Sequence, residues 1–258
     1  MIYLKHKNIS VLGTNHIAKQ SVNEIKQTIK ELKPDIVCLE LDSQRYNSLM
    51  SNKKQGTNIS PAVIKIIGVK GYLFALIGGF IQRQLSKKTG YKPGSDMKSA
   101  AKLAKKNNAK ILLIDQPIQK TLWNISHRIS KQDKKNFWSD LGWIFLLTLL
   151  RKKLFFSIFR SKKIKEKIYT RVMFLGTDVF NINTVPNQDM ITQMMIKVKH
   201  VYPSVYKILV DDRNKYMATN LHNIMLKHPK QKVVAIVGAG HVTGMIDYLQ
   251  KYDKGDEK

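Results

Sequence analysis

Two stretches of the chain put a histidine just after an apolar run and a glycine turn. The first is Ile9-Ser10-Val11-Leu12-Gly13-Thr14-Asn15-His16, and the second is Val233-Val234-Ala235-Ile236-Val237-Gly238-Ala239-Gly240-His241. Two further apolar runs carry a carboxylate near the carboxyl end, Glu40 within 35–41 and Asp115 closing 111–115. Two imidazoles and a carboxylate form a donor set that Zn²⁺, Mn²⁺, Fe²⁺ or Co²⁺ accepts, with a coordination position left for water or substrate. Such an ion activates water as a nucleophile, and a further acid can move the proton.

These groups meet only if their runs are strands of one sheet. Ser21-Val22-Asn23-Glu24 matches a capping box, which predicts a helix starting there, with Val22, Ile25, Ile29 and Leu32 on one face and Pro34 as its stop. The run 35–41 that follows is nearly continuously apolar, as expected of a strand covered on both faces, so strand, helix and strand are expected to form a parallel βαβ unit. Ser95 is expected to cap a second helix, bearing Met97, Ala100, Ala101, Leu103 and Ala104, before the strand that ends at Asp115. In an open parallel sheet ligands bind beyond the carboxyl ends of the strands, where His16, Glu40, Asp115 and His241 all fall.

Each residue also has a plainer reading. An ionised Glu40 in an apolar strand requires a cation, a metal or hydrogen-bond donors, or else it turns to solvent or pairs with Arg45. Helical periodicity over Pro203 to about Lys227 puts Asp212 and Arg213 on or beside the inward face, as a polar site or an internal ion pair. Gly13, Gly238 and Gly240 permit tight turns and close packing of the next helix.

Composition narrows the partners. The 258 residues are 43% hydrophobic, which suits one globular α/β domain. Cys38 is the one cysteine, which excludes a disulfide framework and a cysteine-based zinc site and points to a reducing, cytoplasmic setting. Lys+Arg number 45 against 18 Asp+Glu, a net charge of +27. Such a charge attracts polyanions, either nucleic acid or an anionic membrane surface, unless the lysines simply decorate exposed faces. The segment 151–171, basic with interleaved Phe and Leu, reads as an amphipathic surface helix or a solvated face. No stretch supplies the roughly 20 apolar residues of a membrane span; 71–81 and 141–150 are too short. The Gly238-Ala239-Gly240 run is a poor dinucleotide fingerprint, because its third glycine, Gly244, comes one residue late and no acid follows about 20 residues on.

Six motifs in order resemble the TraB, or PrgY-like pheromone-shutdown, family, which is related to the Tiki metalloproteases and the erythromycin-esterase/ChaN-like group. They are Gly13-Thr14-Asn15-His16, Leu39-Glu40-Leu41 with Arg45-Tyr46, Pro93-Gly94-Ser95-Asp96-Met97, Asp115-Gln116-Pro117-Ile118 with Thr121, Leu209-Val210-Asp211-Asp212-Arg213, and Gly238-Ala239-Gly240-His241. The resemblance implies a central mixed, largely parallel sheet covered by helices in a single domain over 1–258, with helical insertions at about 51–93 and 122–200. It also implies a metal-dependent peptidase site in which His16, Glu40 and His241 hold a divalent ion. The expected catalytic residues are Glu40, Asp96 and Arg213, and Arg45, Asp115, Asp212, Gly13, Gly238 and Gly240 are expected either to support the ligands or to bind substrate. The family has glutamate where this chain has Asp96 and Asp212, and commonly arginine where it has Gln116, so two carboxylates are a methylene shorter and a cation is missing. The expected partner is a peptide. The alternative is a non-catalytic, peptide-sequestering module, peripheral to an anionic membrane through 151–171. Nucleic acid is disfavoured and self-association left open.

Overall fold

The computed structural model describes residues 2–14, 19–51, 65, 68, 72, 94–149 and 188–255. Strands β1 (Ile2–His6), β2 (Ile9–Thr14), β3 (Ile36–Leu39), β4 (Lys110–Leu113) and β5 (Val233–Gly238) form one sheet in the order β1-β2-β5-β3-β4. β1 is antiparallel to β2, whereas β2, β5, β3 and β4 run parallel, so the sheet is mixed and largely parallel as expected. β2 and β3 share a direction but not a ladder. The last strand, β5, lies between them and pairs with both.

Helices α1 (Lys19–Leu32) and α3 (Ser95–Lys106) cover one face of this sheet. The other face is covered by α8 (Asp212–Lys227) and α9 (Val242–Lys254). The remaining helices are α2 (Ser43–Met50), α4 (Ile118–Arg128), α5 (Lys131–Leu149), α6 (Gln188–Val201) and α7 (Pro203–Tyr206). Alternation along the strands divides the core. Ile9, Val11, Cys38, Val233, Ala235 and Val237 pack under α8 and α9 with Met217, Leu221 and Met245. Leu12, Val37, Leu39, Val234 and Ile236 pack under α1 and α3 with Ile25, Ile29, Met97 and Ala101. Covering on both faces is what makes these strands read as unbroken apolar runs.

Three local expectations are corrected. The first helix starts at Lys19, so Ser21 lies buried inside its first turn instead of capping it. The cap position of α3 belongs to Gly94, at φ 78°, where a left-handed backbone leads the chain into the helix and Ser95 becomes its first residue. The residues ahead of Ile9, to which the sequence assigned no element, form β1, which joins β2 through a turn in which Lys7 takes φ 51°. Most of 51–93 and all of 151–171 lie outside the described residues. Within those described, no helix is long and apolar enough to cross a membrane.

Candidate functional site

The parallel strands deliver their carboxyl ends to one edge of the sheet. Glu40 follows β3 and is tied to the neighbouring strand by its backbone N–H, which donates to Ile236 O at 3.1 Å. Asp115 follows β4. His241 closes the short 3₁₀ turn Ala239–His241 between β5 and α9. His16, two residues beyond β2, lies outside the described residues. Glu40, Asp115 and His241 are all buried.

Glu40, Asp115 and His241 converge on Arg213, in the first turn of α8. Its Nε and Nη2 donate to Asp115 Oδ1 and Oδ2 at 3.1 and 2.7 Å. Nη2 also donates to Glu40 Oε1, and Nη1 donates to His241 Nε2 at 3.1 Å. Burial pulls the guanidinium toward its neutral form, but Glu40 and then Asp115 more than offset it and raise its pKa above the ordinary value. Arg213 is therefore a fixed cation. Its partner Asp212 points the other way, to Lys207 Nζ at 2.7 Å and Arg128 Nη1 at 2.9 Å. The two neighbours thus serve different surroundings and are not an internal pair.

Further hydrogen bonds set the orientation of each group. Glu40 Oε2 accepts from the Gly238 N–H at 2.6 Å, so this glycine contributes a backbone donor. His241 Nδ1 is 2.7 Å from Asn214 Oδ1. The amide oxygen can only accept and the guanidinium can only donate, so His241 is neutral with its proton on Nδ1 and its Nε2 lone pair turned inward. Asp115 Oδ1 also accepts from Gln116 N at 2.8 Å, and Oδ2 from Arg45 Nη1 at 2.9 Å. Arg45 thus pairs with Asp115 and not with Glu40. Asp42 braces this edge, since Oδ1 accepts from Arg45 N at 2.8 Å at the start of α2 and Oδ2 from Ile118 N at 3.2 Å at the start of α4. Asp96, buried in the first turn of α3, accepts from Thr14 Oγ1 at 2.7 Å, which ties α3 to the end of β2.

Backbone packing leaves little slack. A Cβ on Gly13 would meet Val242 Cγ2 at 2.7 Å and Ala239 Cα at 3.0 Å, so only glycine lets β2 pass under the turn that carries His241. A Cβ on Gly240 would meet Met195 of α6 at 3.3 Å. A Cβ on Gly244 would fall inside Asn214 Nδ2. Residues Lys207–Asp211 form a π turn, and Arg213 Nη1 donates back to Leu209 O at 3.3 Å at its exit. Such wide turns recur at functional sites.

Asn214, Thr14, Gly244 and the π turn escape the sequence reading. Asn214 had a signal, since it follows a charged pair on a helix face already suspected of facing inward. Gly244 had one too, three residues after His241 and one helical turn along.

His241 Nε2 and Glu40 Oε1 lie 3.5 Å apart, a separation that two ligands of one ion can close by small shifts, given Zn–N and Zn–O lengths of about 2.0–2.2 Å. Among the described residues no three His, Cys, Asp or Glu side chains group as a metal site. The two donors nevertheless fit a divalent ion chemically, because each has the outer hydrogen bond that fixes a ligand's orientation.

The chain has relatives among known proteins. The chain aligns over 250 residues, at 28% identity, with an uncharacterised protein of Methanocaldococcus jannaschii, covering 97% of this chain and 55% of the relative. TraB domain-containing proteins of mouse and human align over 261 residues at 22% identity, covering 92% of this chain and 61% of theirs. The chain thus spans a little over half the length of these relatives. The model of the TraB/PrgY/gumN family matches residues 2–131 and 177–254, the segments that carry the five described strands and all of Glu40, Asp115, Arg213 and His241, and the chain belongs to that family.

Proposed function

We propose that the chain is a metal-dependent hydrolase of peptides, with His16, Glu40 and His241 holding the ion. The observation that carries this reading is the convergence of His241 Nε2 and Glu40 Oε1, 3.5 Å apart, each backed by its own hydrogen-bond partner. A bound divalent ion would supply Lewis acidity toward a carbonyl and lower the pKa of a water. The chain's own groups do the rest. Asn214 keeps the His241 proton on Nδ1, so Nε2 is the nitrogen that carries the lone pair. The Gly238 N–H keeps one Glu40 oxygen occupied and leaves Oε1 aimed at the same point. Asp115 holds Arg213 through two hydrogen bonds, which keeps the guanidinium beside both donor atoms as a fixed cation that can stabilise negative charge developing on a substrate carbonyl. Asp96, in the first turn of α3, is the acid assigned to proton movement.

A second reading rests on a different observation. In the described arrangement Arg213 already donates to both donor atoms, so the cluster is satisfied without an ion. A peptide-binding module without turnover, with the basic segment 151–171 against an anionic membrane, uses the same fold.

Metal content separates the two. The purified chain is stripped, reconstituted with Zn²⁺, Mn²⁺, Co²⁺ or Fe²⁺, and assayed beside His16→Ala and His241→Ala. Near-stoichiometric metal in the wild type, lost in both variants together with cleavage of a peptide library, is the expected result. Equally low metal in all three proteins overturns the hydrolase reading.

A further inference from the structure

A cleft of about 330 Å³ opens beside the cluster, between α4 and α8. Its α4 wall is the stripe Lys120, Asn124 and Arg128, one residue per turn, with buried Gln116 just ahead of the helix. The facing α8 wall includes Asp212, Lys215, Tyr216 and Asn220. Two facing helix surfaces at i, i+4 spacing normally meet through apolar side chains. Here the lining side chains are mostly charged or amide groups on apolar stems, and the two helices stand apart around open space.

Three cations, Lys120, Arg128 and Lys215, line the cleft against the single carboxylate of Asp212, an excess of two positive charges. Arg128 rests on Asp212 at 2.9 Å, and Lys120 Nζ sits 5.5 Å from the centre of the Tyr216 ring. Both are contacts an incoming anion can replace without burying a new charge. Gln116 and Asn124 add amide groups that are themselves buried. The cleft also adjoins the cluster through the chain, because Gln116 follows Asp115 and Asp212 precedes Arg213. Gln116 N, moreover, donates to Asp115 Oδ1 at 2.8 Å.

We infer that this cleft receives the terminal carboxylate of a peptide, and so orients the chain end across the Arg213 cluster. The inference rests on the peptide reading above, and it specifies which end of the peptide lies where. Lys120 and Arg128 bind the carboxylate charge, the amides complete its hydrogen bonds, and Asp212 disfavours a second negative charge.

Binding tests it without requiring turnover. A short peptide with a free carboxyl end and its C-terminally amidated twin are titrated calorimetrically against the full chain, in chelator so that neither is consumed. The free acid is expected to bind at least ten-fold more tightly. Lys120→Gln and Arg128→Gln, both at exposed positions of α4, are each expected to reduce that preference three-fold or more. Equal affinity for acid and amide, or a preference untouched by both variants, overturns the inference. So does inorganic phosphate that binds as tightly as the free acid and displaces it, because the cleft is then a small-anion site. Metal content and cleavage are scored separately, so loss of hydrolysis with the carboxylate preference intact removes only the catalytic reading.

Discussion

Arg213 and Asp115 are joined by two parallel hydrogen bonds, Nε to Oδ1 at 3.1 Å and Nη2 to Oδ2 at 2.7 Å, and the same guanidinium reaches Glu40. One cation on α8 therefore neutralises carboxylates from two strands. Arg213→Gln keeps some hydrogen bonding but leaves Glu40 and Asp115 with one charge fewer between them, since Arg45 holds only Asp115. Breaking a buried pair in this way costs about 3–5 kcal/mol. Urea unfolding at neutral pH checks it, and a loss below about 1 kcal/mol would mean that water replaces the guanidinium.

Gly244 and Asn214 act as one unit. Gly244→Ala drives a methyl group into the Asn214 amide, which costs about 1–3 kcal/mol of overpacking and frees His241 Nδ1. Asn214→Ala removes the same acceptor, at about 1–3 kcal/mol. Because the alanine at 244 has little left to strike once Asn214 is truncated, the double variant should lose markedly less than the sum of the two. Ring nitrogen shifts of His241 report the tautomer in each protein. An additive pair of losses with an unchanged tautomer would show that Gly244 does not act through Asn214.

Cys38 offers a probe of the sheet itself. Full burial on β3 pushes its thiol up to about 12, so it stays protonated in the folded chain through ordinary alkaline pH. The unfolded thiol ionises near 8.5, so stability tied to Cys38 is whole below that value and declines as pH rises above it. Alkylation at pH 8 should proceed only as fast as the chain unfolds, and should become immediate in denaturant. Fast alkylation under native conditions would place Cys38 at an opening surface.

Asp253 governs a pH effect at the opposite end of the sheet. The hydrogen bond from Lys7 lowers its pKa, with Lys7 and His6 adding charge attraction against a smaller cost of burial. A lowered carboxylate pKa stabilises the fold above the unfolded value of about 3.9 and is lost as pH falls below it. Asp253→Asn should therefore cost up to about 1 kcal/mol at pH 6 and nothing near pH 2. Melting curves at the two pH values decide it; a constant difference would mean packing rather than charge.

The parallel strands, the covering helices and the strand-end positions of Glu40, Asp115 and His241 are legible in the sequence, because unbroken apolar runs and glycine turns are local signals. What joins them is not. The pairing of β5 with both β2 and β3 depends on segments about two hundred residues apart, which no local pattern encodes. Arg213 and Asp212 are indistinguishable by periodicity, and only the fold shows Arg213 turned to Asp115 and Asp212 to Lys207 and Arg128. Caps failed for a similar reason: Ser21 and Ser95 have the right side chains, but Gly94 has the backbone freedom that the entry to α3 requires.

The position of β5 also bears on how the chain assembles. Residues 233–238 form the strand whose two ladders join the β1-β2 hairpin to the β3-β4 pair. Until they are inserted, the inner edges of β2 and β3 present unpaired backbone, a template for pairing with another chain. Folding that waits for such a distant segment is slow relative to local assembly. Insertion of β5 also brings Gly238 to Glu40 and His241 to Arg213, so closing the sheet and forming the cluster are one event. A nascent chain is thus exposed to aggregation for the same interval in which it has no site to offer a ligand.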